Sequence, residues 1–128
     1  MNHNRGQVLV LFVILVPILL IIATFAIDVG NNYNNAIKLN NINKIVIKYG
    51  LDNIEKDNIK AEMVSLLYLN DSDIENYFLD IKDNQITLKI TKNVNSIFGG
   101  IIGKNFYHLE SNYVGYFLAG EMVIEKGN

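Results

Sequence analysis

Three acidic residues, Asp71, Asp73 and Glu75, alternate along the chain as the ligands of a calcium-binding loop do. An EF-hand loop that begins at Asp71 also needs a glycine at its sixth position and a glutamate at its twelfth. Those two positions hold Asn76 and Lys82. The mismatch favours a solvated turn, so we predict no metal site at these carboxylates.

The two histidines, His3 and His108, stand on either side of a long apolar segment, so they cannot meet in one site within a single chain. A lone histidine does not make a metal site, and a Ser-His-Asp mechanism would depend on His108 alone. Cysteine is absent, which excludes disulfides, thiol catalysis and cysteine-ligated metals. We therefore predict that the chain is not an enzyme and binds no cofactor.

The glycines and the charges give no sign of a nucleotide or nucleic acid ligand. Gly99 and Gly103 have the spacing of a helix-dimer motif, but they lie outside the apolar segment that such a motif requires. No phosphate-binding glycine loop with a following lysine and Ser/Thr occurs. The formal net charge is −2, and acids and bases are interleaved beyond residue 28. We predict neither a nucleic acid partner nor a small-molecule substrate.

One apolar segment, residues 8–27, dominates the N-terminal part of the chain, and only Thr24 in it has a polar side chain. As a helix it spans about 30 Å, the thickness of the hydrocarbon core of a bilayer. A buried core helix is one alternative, but a chain of 128 residues has too little other apolar surface to enclose it. A cleaved signal peptide is the other, with Arg5 before it and a small-residue site at residues 24–26, although the segment exceeds the usual length of about 7–15 residues. We predict a transmembrane helix.

The orientation of this helix is not settled by the positive-inside rule, because Arg5 precedes the segment while Asp28 and several lysines follow it. The short tail of residues 1–7 favours a cytoplasmic N-terminus, since a long C-terminal part can be translocated largely regardless of its charge.

Pro17 lacks an N–H group and should bend the helix, as a tolerated kink or as a hinge. Asp28 either marks the exit from the membrane or pairs with a neighbouring subunit.

Three runs at fixed spacing carry a resemblance to a known family: residues 5–12 (RGQVLVLF), 16–20 (VPILL) and 28–33 (DVGNNY). The first 50 residues resemble the N-terminal region of the TadE/TadG-like proteins of tight-adherence (Flp) pilus systems, nearer the TadG-like branch. Members of that family typically have a glycine before the apolar run, a proline within it, and Asp-x-Gly followed by tyrosine at its exit. In this chain the exit motif is Asp28, Gly30 and Tyr33.

One departure from the family pattern bears on processing. Prepilin-like members carry a glutamate five residues after the processing glycine, and counting from Gly6 that position is Leu11. Gly6 and Gln7 are the candidate processing site, but without the acid the chain looks more like the TadG-like branch, which also lacks it. The resemblance therefore implies an accessory subunit, such as a minor pseudopilin, and not the major pilin.

Beyond the anchor, residues 28–50 predict a helical extension, because Leu39, Ile42, Val46 and Tyr49 are spaced three or four apart. Gly50 suits the end of this helix, and a break near Gly30 is the main alternative, because the asparagines after it are poor helix formers. Residues 51–128 predict a small α+β domain with an antiparallel sheet. Its expected elements are a helix at 56–69, a hairpin of strands 77–81 and 85–91, a short helix or apolar loop at 94–102, a third strand at 106–114 and a candidate fourth at 115–124.

The sequence thus predicts an α+β protein, in which a long transmembrane helix extends into a small extracytoplasmic domain with a pilin-like arrangement. The expected function is that of a membrane-anchored structural or assembly subunit of a Tad/Flp-type pilus or related secretion apparatus. Its expected partners are the membrane and other pilus or assembly subunits, which the N-terminal helix contacts, and incorporation in a surface filament is one form of that role. The alternative is a membrane-tethered binding or sensor module unrelated to filaments.

Overall fold

The computed structural model describes residues 2–103 and 106–128 of the chain. These residues form an α+β fold with a long N-terminal helix and a small antiparallel sheet. The elements are α1 (Asn2–Asp52), α2 (Ile59–Asn70), β1 (Asn76–Lys82), β2 (Gln85–Asn95), α3 (Ile97–Ile102), β3 (Phe106–Leu118) and β4 (Glu121–Lys126).

Helix α1 is continuous over 51 residues, which corresponds to about 77 Å at a rise of roughly 1.5 Å per residue. The predicted extension of the apolar segment is therefore confirmed, and the alternative of a break near Gly30 is wrong. The asparagines after Gly30 are helical, and Asn35 Nδ2 donates a hydrogen bond to the Asn31 carbonyl at 2.8 Å within the helix itself. The helix ends at Asp52, so Gly50 lies inside its last turn and not at its end.

The sheet is a four-stranded antiparallel meander in the order β1-β2-β3-β4. Two-residue turns join β1 to β2 at Asp83 and Asn84, and β3 to β4 at Ala119 and Gly120. All four of these residues have positive φ, between 53° and 83°. Positive φ at both central residues is the property of the type I′ turn, whose twist matches that of a hairpin. The predicted hairpin at residues 77–91 is confirmed.

The C-terminal half of α1 packs against one face of the sheet and against α2. The alternating side chains of β2 are fully enclosed, with Ile86 and Ile90 at 0% exposure. Helix α2 begins at Ile59, three residues after the predicted start, and buries Ile59, Met63 and Leu67 on one face. The buried apolar core consists of Leu39, Val46, Ile47, Leu51, Ile59, Met63, Leu67, Ile74, Ile86, Leu88 and Ile90.

The third strand is longer than the sequence predicts. A boundary between strands was expected at Gly115, but β3 continues to Leu118, and Gly115 pairs with Ile86 of β2 and Ile124 of β4. The glycine is required by packing, because a Cβ atom at this position would lie 2.2 Å from Cγ2 of Ile47. Gly115 therefore lets α1 approach the sheet closely. We call the sheet, α2, α3 and residues 28–52 of α1 together the head.

Candidate functional site

The largest unpartnered surface of the described chain is the N-terminal half of α1. Between residues 8 and 27 every side chain is exposed except those of Val16 and Thr24, which are half-buried. Helix α1 is long and apolar enough to cross a membrane, and no part of its most apolar window is buried in the protein. A core helix of a soluble protein would be mostly buried, so this exposure argues against that alternative.

The few polar features of the apolar segment are compatible with an apolar surrounding. The Thr24 hydroxyl donates a hydrogen bond to the Ile21 carbonyl at 2.8 Å, so its polar atom is satisfied within the helix. Pro17 lies inside the helix and does not interrupt it. The segment thus presents a nearly unbroken apolar cylinder to whatever surrounds it.

Asp28, the first residue after the apolar segment, joins α1 to α3, at the end of the sheet that is nearest to the apolar segment. Its carboxylate accepts hydrogen bonds from the Ser96 hydroxyl at 2.7 Å, the Ile97 N–H at 2.8 Å and the Phe98 N–H at 2.6 Å. Ile97 and Phe98 begin α3, so Asp28 caps that short helix from another element. Asp28 is only 2% exposed. We call Asp28 with residues 96–103 the junction.

The electrostatics of the junction keep Asp28 ionised. Burial alone would raise the pKa of Asp28, but hydrogen bonds from Ser96 and from the backbone N–H groups of Ile97, Phe98 and Gly99 together hold this pKa below its ordinary value of 3.8. The carboxylate oxygens are therefore occupied within the chain. The sequence suggested two roles for Asp28, as a marker of the membrane exit or as the partner of another subunit. The structure adds a third role, because Asp28 fixes α3 against α1.

Asn43 is a second polar contact between α1 and the sheet. Its side chain is 0% exposed, and Nδ2 lies within hydrogen-bonding distance of the Leu88 carbonyl (2.9 Å) and of the Ser111 carbonyl and hydroxyl (3.2 Å each). These bonds cross from the helix to both central strands. The apolar stripe expected at Leu39, Ile42, Val46 and Tyr49 gave no signal for Asn43, because a hydrogen bond to strands far along the chain leaves no local pattern.

The other residues of the proposed family motif lie on the outside of α1. Gly6 and Gln7, the candidate processing site, are exposed in its first turns. A Cβ atom added at Gly30 would have no atom of another element within 4 Å, and the side chain of Tyr33 is 67% exposed. Of the exit motif, then, Asp28 faces the head while Gly30 and Tyr33 face away from it.

The acidic residues and the histidine of the head are held in local contacts. Asp71 forms an ion pair with Lys92 at 2.6 Å and accepts a hydrogen bond from the Asp73 N–H. Glu75 accepts a hydrogen bond from Asn93 at 2.6 Å. In residues 2–103 and 106–128, no group of three or more acidic, histidine or cysteine side chains is placed to hold a metal ion.

The same amide, that of Asn93, contacts the histidine of the head. His108 Nδ1 lies 2.9 Å from Asn93 Oδ1 on the exposed surface of the sheet. The side chain of His3 lies outside the described residues. The geometry thus brings His108 together with an amide and not with a nucleophile and an acid.

An open cleft of about 490 Å³ lies between α1 and α2. Tyr49 donates a hydrogen bond to Glu62 at 2.8 Å inside it, and this bond, together with burial and the negative charge of Glu62, raises the pKa of Tyr49. Lys56 lies 3.6 Å from the same carboxylate. These three groups pair with each other, so the arrangement ties α2 to α1.

No protein-family model matches the chain, and neither a curated protein nor a solved structure matches it. The resemblance to TadE/TadG-like proteins therefore rests on residues 5–33 and on the helix that follows them. The structure contributes an exposed apolar helix half and a four-stranded antiparallel sheet on which the other half of the same helix lies. Among the described residues, the exposed apolar side chains are concentrated in the apolar segment.

Proposed function

We propose that this chain is a membrane-anchored structural or assembly subunit of a Tad/Flp-type pilus or related secretion apparatus, TadG-like and close in role to a minor pseudopilin. The anchor is residues 8–27, with the N-terminus in the cytoplasm and the head on the extracytoplasmic side. The protein acts by contact, holding the head at the membrane or in a filament, and it carries out no chemical reaction.

The observation that carries this proposal is the division of α1 into two halves. The first half exposes its apolar side chains on all sides, whereas the second half is part of the core of the head. A helix that is apolar all round is stable where lipid or other apolar helices surround it. The long helix lying on an antiparallel sheet is also the arrangement expected of a pilin-like subunit.

The residues at the N-terminus support the accessory role. Gly6 and Gln7 stand where a prepilin peptidase would cut, and Leu11 stands where pilin-type subunits have a glutamate. Leu11 carries no charge that could guide the subunit into a filament as the pilin glutamate does. Moving the segment from lipid into a bundle of apolar helices exchanges one apolar environment for another, so hydrophobic burial changes little.

The proposal is tested in the native cells by separating sheared surface filaments from membranes and measuring the intact mass of the chain in each fraction. We expect an uncut chain in the membrane fraction that co-purifies with pilus or secretion subunits. A chain that begins at Gln7 in the sheared fraction would also support the proposal and would make it a filament subunit. Recovery of a monomer with a stoichiometric soluble ligand, and with no such subunit, would instead establish the tethered binding module.

Cross-linking identifies the partners directly, because the chain has no cysteine of its own. The Ile18→Cys variant, labelled on its single thiol with a photoreactive group, is expected to cross-link on illumination to apolar helices of other subunits. The matched control is a cysteine at Leu69, which is 83% exposed at the end of α2 and reports random collisions. Equal cross-linking from both positions would contradict packing through the N-terminal helix.

A further inference from the structure

Helix α3 lies at the end of the sheet that is nearest to the apolar segment. The ring of Phe98 packs edge-on against the ring of Phe25, with the centroids 5.2 Å apart. Phe25 belongs to the last turn of the apolar segment, three positions before Asp28, whose carboxylate caps α3. The structure therefore holds α3 at the level where the apolar segment ends, within about one helical turn of Asp28.

Exposed apolar side chains lie at the start of α3 and at the start of β3. No charged residue occurs in the sequence between Lys92 and Lys104, and residues 97–102 read IFGGII. Ile97 is 57% exposed, and Phe106, at the start of β3, is 49% exposed. A patch of this kind that adjoins a largely exposed apolar helix half favours a common apolar surrounding for both.

The backbone of α3 already satisfies the condition for lying in such a surrounding. Asp28 accepts from the N–H groups of Ile97 and Phe98, and the Ser96 hydroxyl accepts from the Gly99 N–H at 2.6 Å. At the other end Gly103 has a φ of 88°, and its N–H donates to the Gly99 carbonyl. Unpaired backbone groups are costly in lipid, and the bonds at the start of α3 lower that cost for its first N–H groups.

We propose that α3 is a second membrane contact, which lies at the boundary between the headgroups and the acyl chains of the leaflet from which the anchor emerges. The occupant is lipid, because the patch is continuous with the apolar segment through Phe25 and Phe98 and carries no charge for a polar protein partner. Apolar elements of this kind enter the boundary by about 5–10 Å. The inference rests on the membrane anchor of the proposed function and adds that the head is fixed at two points, so it does not tilt freely about α1.

A nitroxide label measures this directly on the full-length protein, since one introduced cysteine is the only thiol. The Ile97→Cys variant is labelled and reconstituted at high dilution in vesicles of phosphatidylethanolamine and phosphatidylglycerol. Collisions with oxygen, which concentrates in lipid, are compared with collisions with a water-soluble nickel chelate. The controls are Ile18→Cys in the apolar segment and Phe78→Cys on β1, where the native side chains are 47% and 59% exposed. Gly100→Cys, also exposed on α3, gives a second reading if the first variant folds poorly.

We expect the label at Ile97 to favour oxygen, as the label at Ile18 does, while the label at Phe78 favours nickel. A label at Ile97 that behaves like the one at Phe78 would overturn the inference and leave the anchor intact. Protection of Ile97 only when several copies share a vesicle would also overturn it, because the patch would then be covered by protein. Nickel access at Ile18 itself would overturn both the inference and the anchor on which it rests.

Discussion

The two halves of α1 share one backbone geometry but differ in what surrounds their side chains. Between residues 8 and 27 the apolar side chains point in all directions, and the side chain of Phe12, for example, is 63% exposed. Between residues 39 and 51 most apolar side chains lie on one side, where Leu39, Val46 and Ile47 are at most 1% exposed, and Ile45 is the half-exposed exception. A helix that is apolar all round needs lipid or other helices around it, whereas a one-sided helix is satisfied by a sheet. The difference therefore lies in the pattern of side chains and not in helix propensity.

The boundary between the halves is also informative. Asp28 ends the apolar segment and turns its carboxylate toward the head, where three hydrogen bonds hold it. Asn43 then places a second polar contact in the middle of the packed half. Polar contacts thus fix the rotation of the packed half against the sheet, while the apolar half has no such contact and is free to suit its surroundings.

The strongest way to break the comparison is to remove the apolar half. We expect deletion of residues 1–23, which keeps Phe25 and Asp28, to abolish integral membrane insertion, so that only the weaker contact proposed for α3 remains. The free energy of unfolding of the head should change by less than about 0.5 kcal/mol, because the side chains of residues 8–23 are exposed except that of Val16, which is half-buried. Fractionation and a cooperative thermal transition by circular dichroism are the measurements. Deletion of residues 1–29 is the matched control, and it should destabilise the head because the junction is lost. A head that fails to fold after the shorter deletion would contradict the division.

The next largest effect is expected from a substitution that crowds the contact between the packed half of α1 and the sheet. We expect Gly115→Ala to lower the free energy of unfolding by about 1–3 kcal/mol, because the new Cβ would meet the buried side chain of Ile47. Urea unfolding in detergent micelles measures the change. Gly30→Ala is the control on α1, where no atom lies within 4 Å of a new Cβ. It should stabilise the helix by about 0.5–1 kcal/mol. The same sign for both substitutions would show that close approach to the sheet is not the reason for Gly115.

Removing the polar contact of the packed half should cost somewhat less. We expect Asn43→Ala to lower the free energy of unfolding by about 1–2 kcal/mol, because buried acceptors on Leu88 and Ser111 lose their donor. Urea unfolding is again the measurement. Ile45→Ala, at a half-exposed position two residues away, should stay within about 0.5 kcal/mol of the unaltered protein. If the two variants are equally stable, Asn43 does not tie the helix to the sheet.

The smallest expected effect is a pH dependence at the junction. The pKa of Asp28 is lowered in the folded protein, so its contribution to stability is present above about pH 4 and is lost as the pH falls through the folded-state pKa. We expect Asp28→Asn to be less stable than the unaltered protein at neutral pH, with the difference shrinking in acid. Thermal midpoints recorded from neutral pH down to strong acid measure it. The control is Asp52→Asn, at an exposed carboxylate on the same helix, which should show the same dependence of the thermal midpoint on pH as the unaltered protein. A difference in thermal midpoint between Asp28→Asn and the unaltered protein that stays constant across the pH range would contradict the role of the Asp28 charge.

Periodicity was sufficient to predict the elements that depend on neighbours in sequence. The apolar run predicts the exposed half of α1, the alternation of Ile86, Leu88 and Ile90 predicts β2, and the polar residues around Asp83 predict the hairpin turn. Each of these signals acts over a few residues, where side-chain spacing reports directly which face is apolar. The end of α1 was also predicted to within three residues, because its stripe continues to Tyr49.

The features that were missed all depend on contacts between distant parts of the chain. Asp28 meets Ser96 and Asn43 meets Ser111, and in both pairs the partners are 68 positions apart. Gly115 was predicted to begin the fourth strand, yet it lies within β3, where the close approach of Ile47 requires a glycine. Spacing along the chain carries no record of such encounters, so the junction could be found only from the fold.

The central claim, that the two halves of α1 lie in different surroundings, is tested most directly by labelling single cysteines in intact cells with a membrane-impermeant maleimide. We predict that Ile45→Cys, in the head, is labelled from outside, and that Asn4→Cys is labelled only after the membrane is permeabilised. Ile18→Cys should stay unlabelled in both conditions, whether lipid or a helical bundle surrounds it. Labelling of Ile18→Cys, or of Asn4→Cys from outside while Ile45→Cys is protected, would contradict the account.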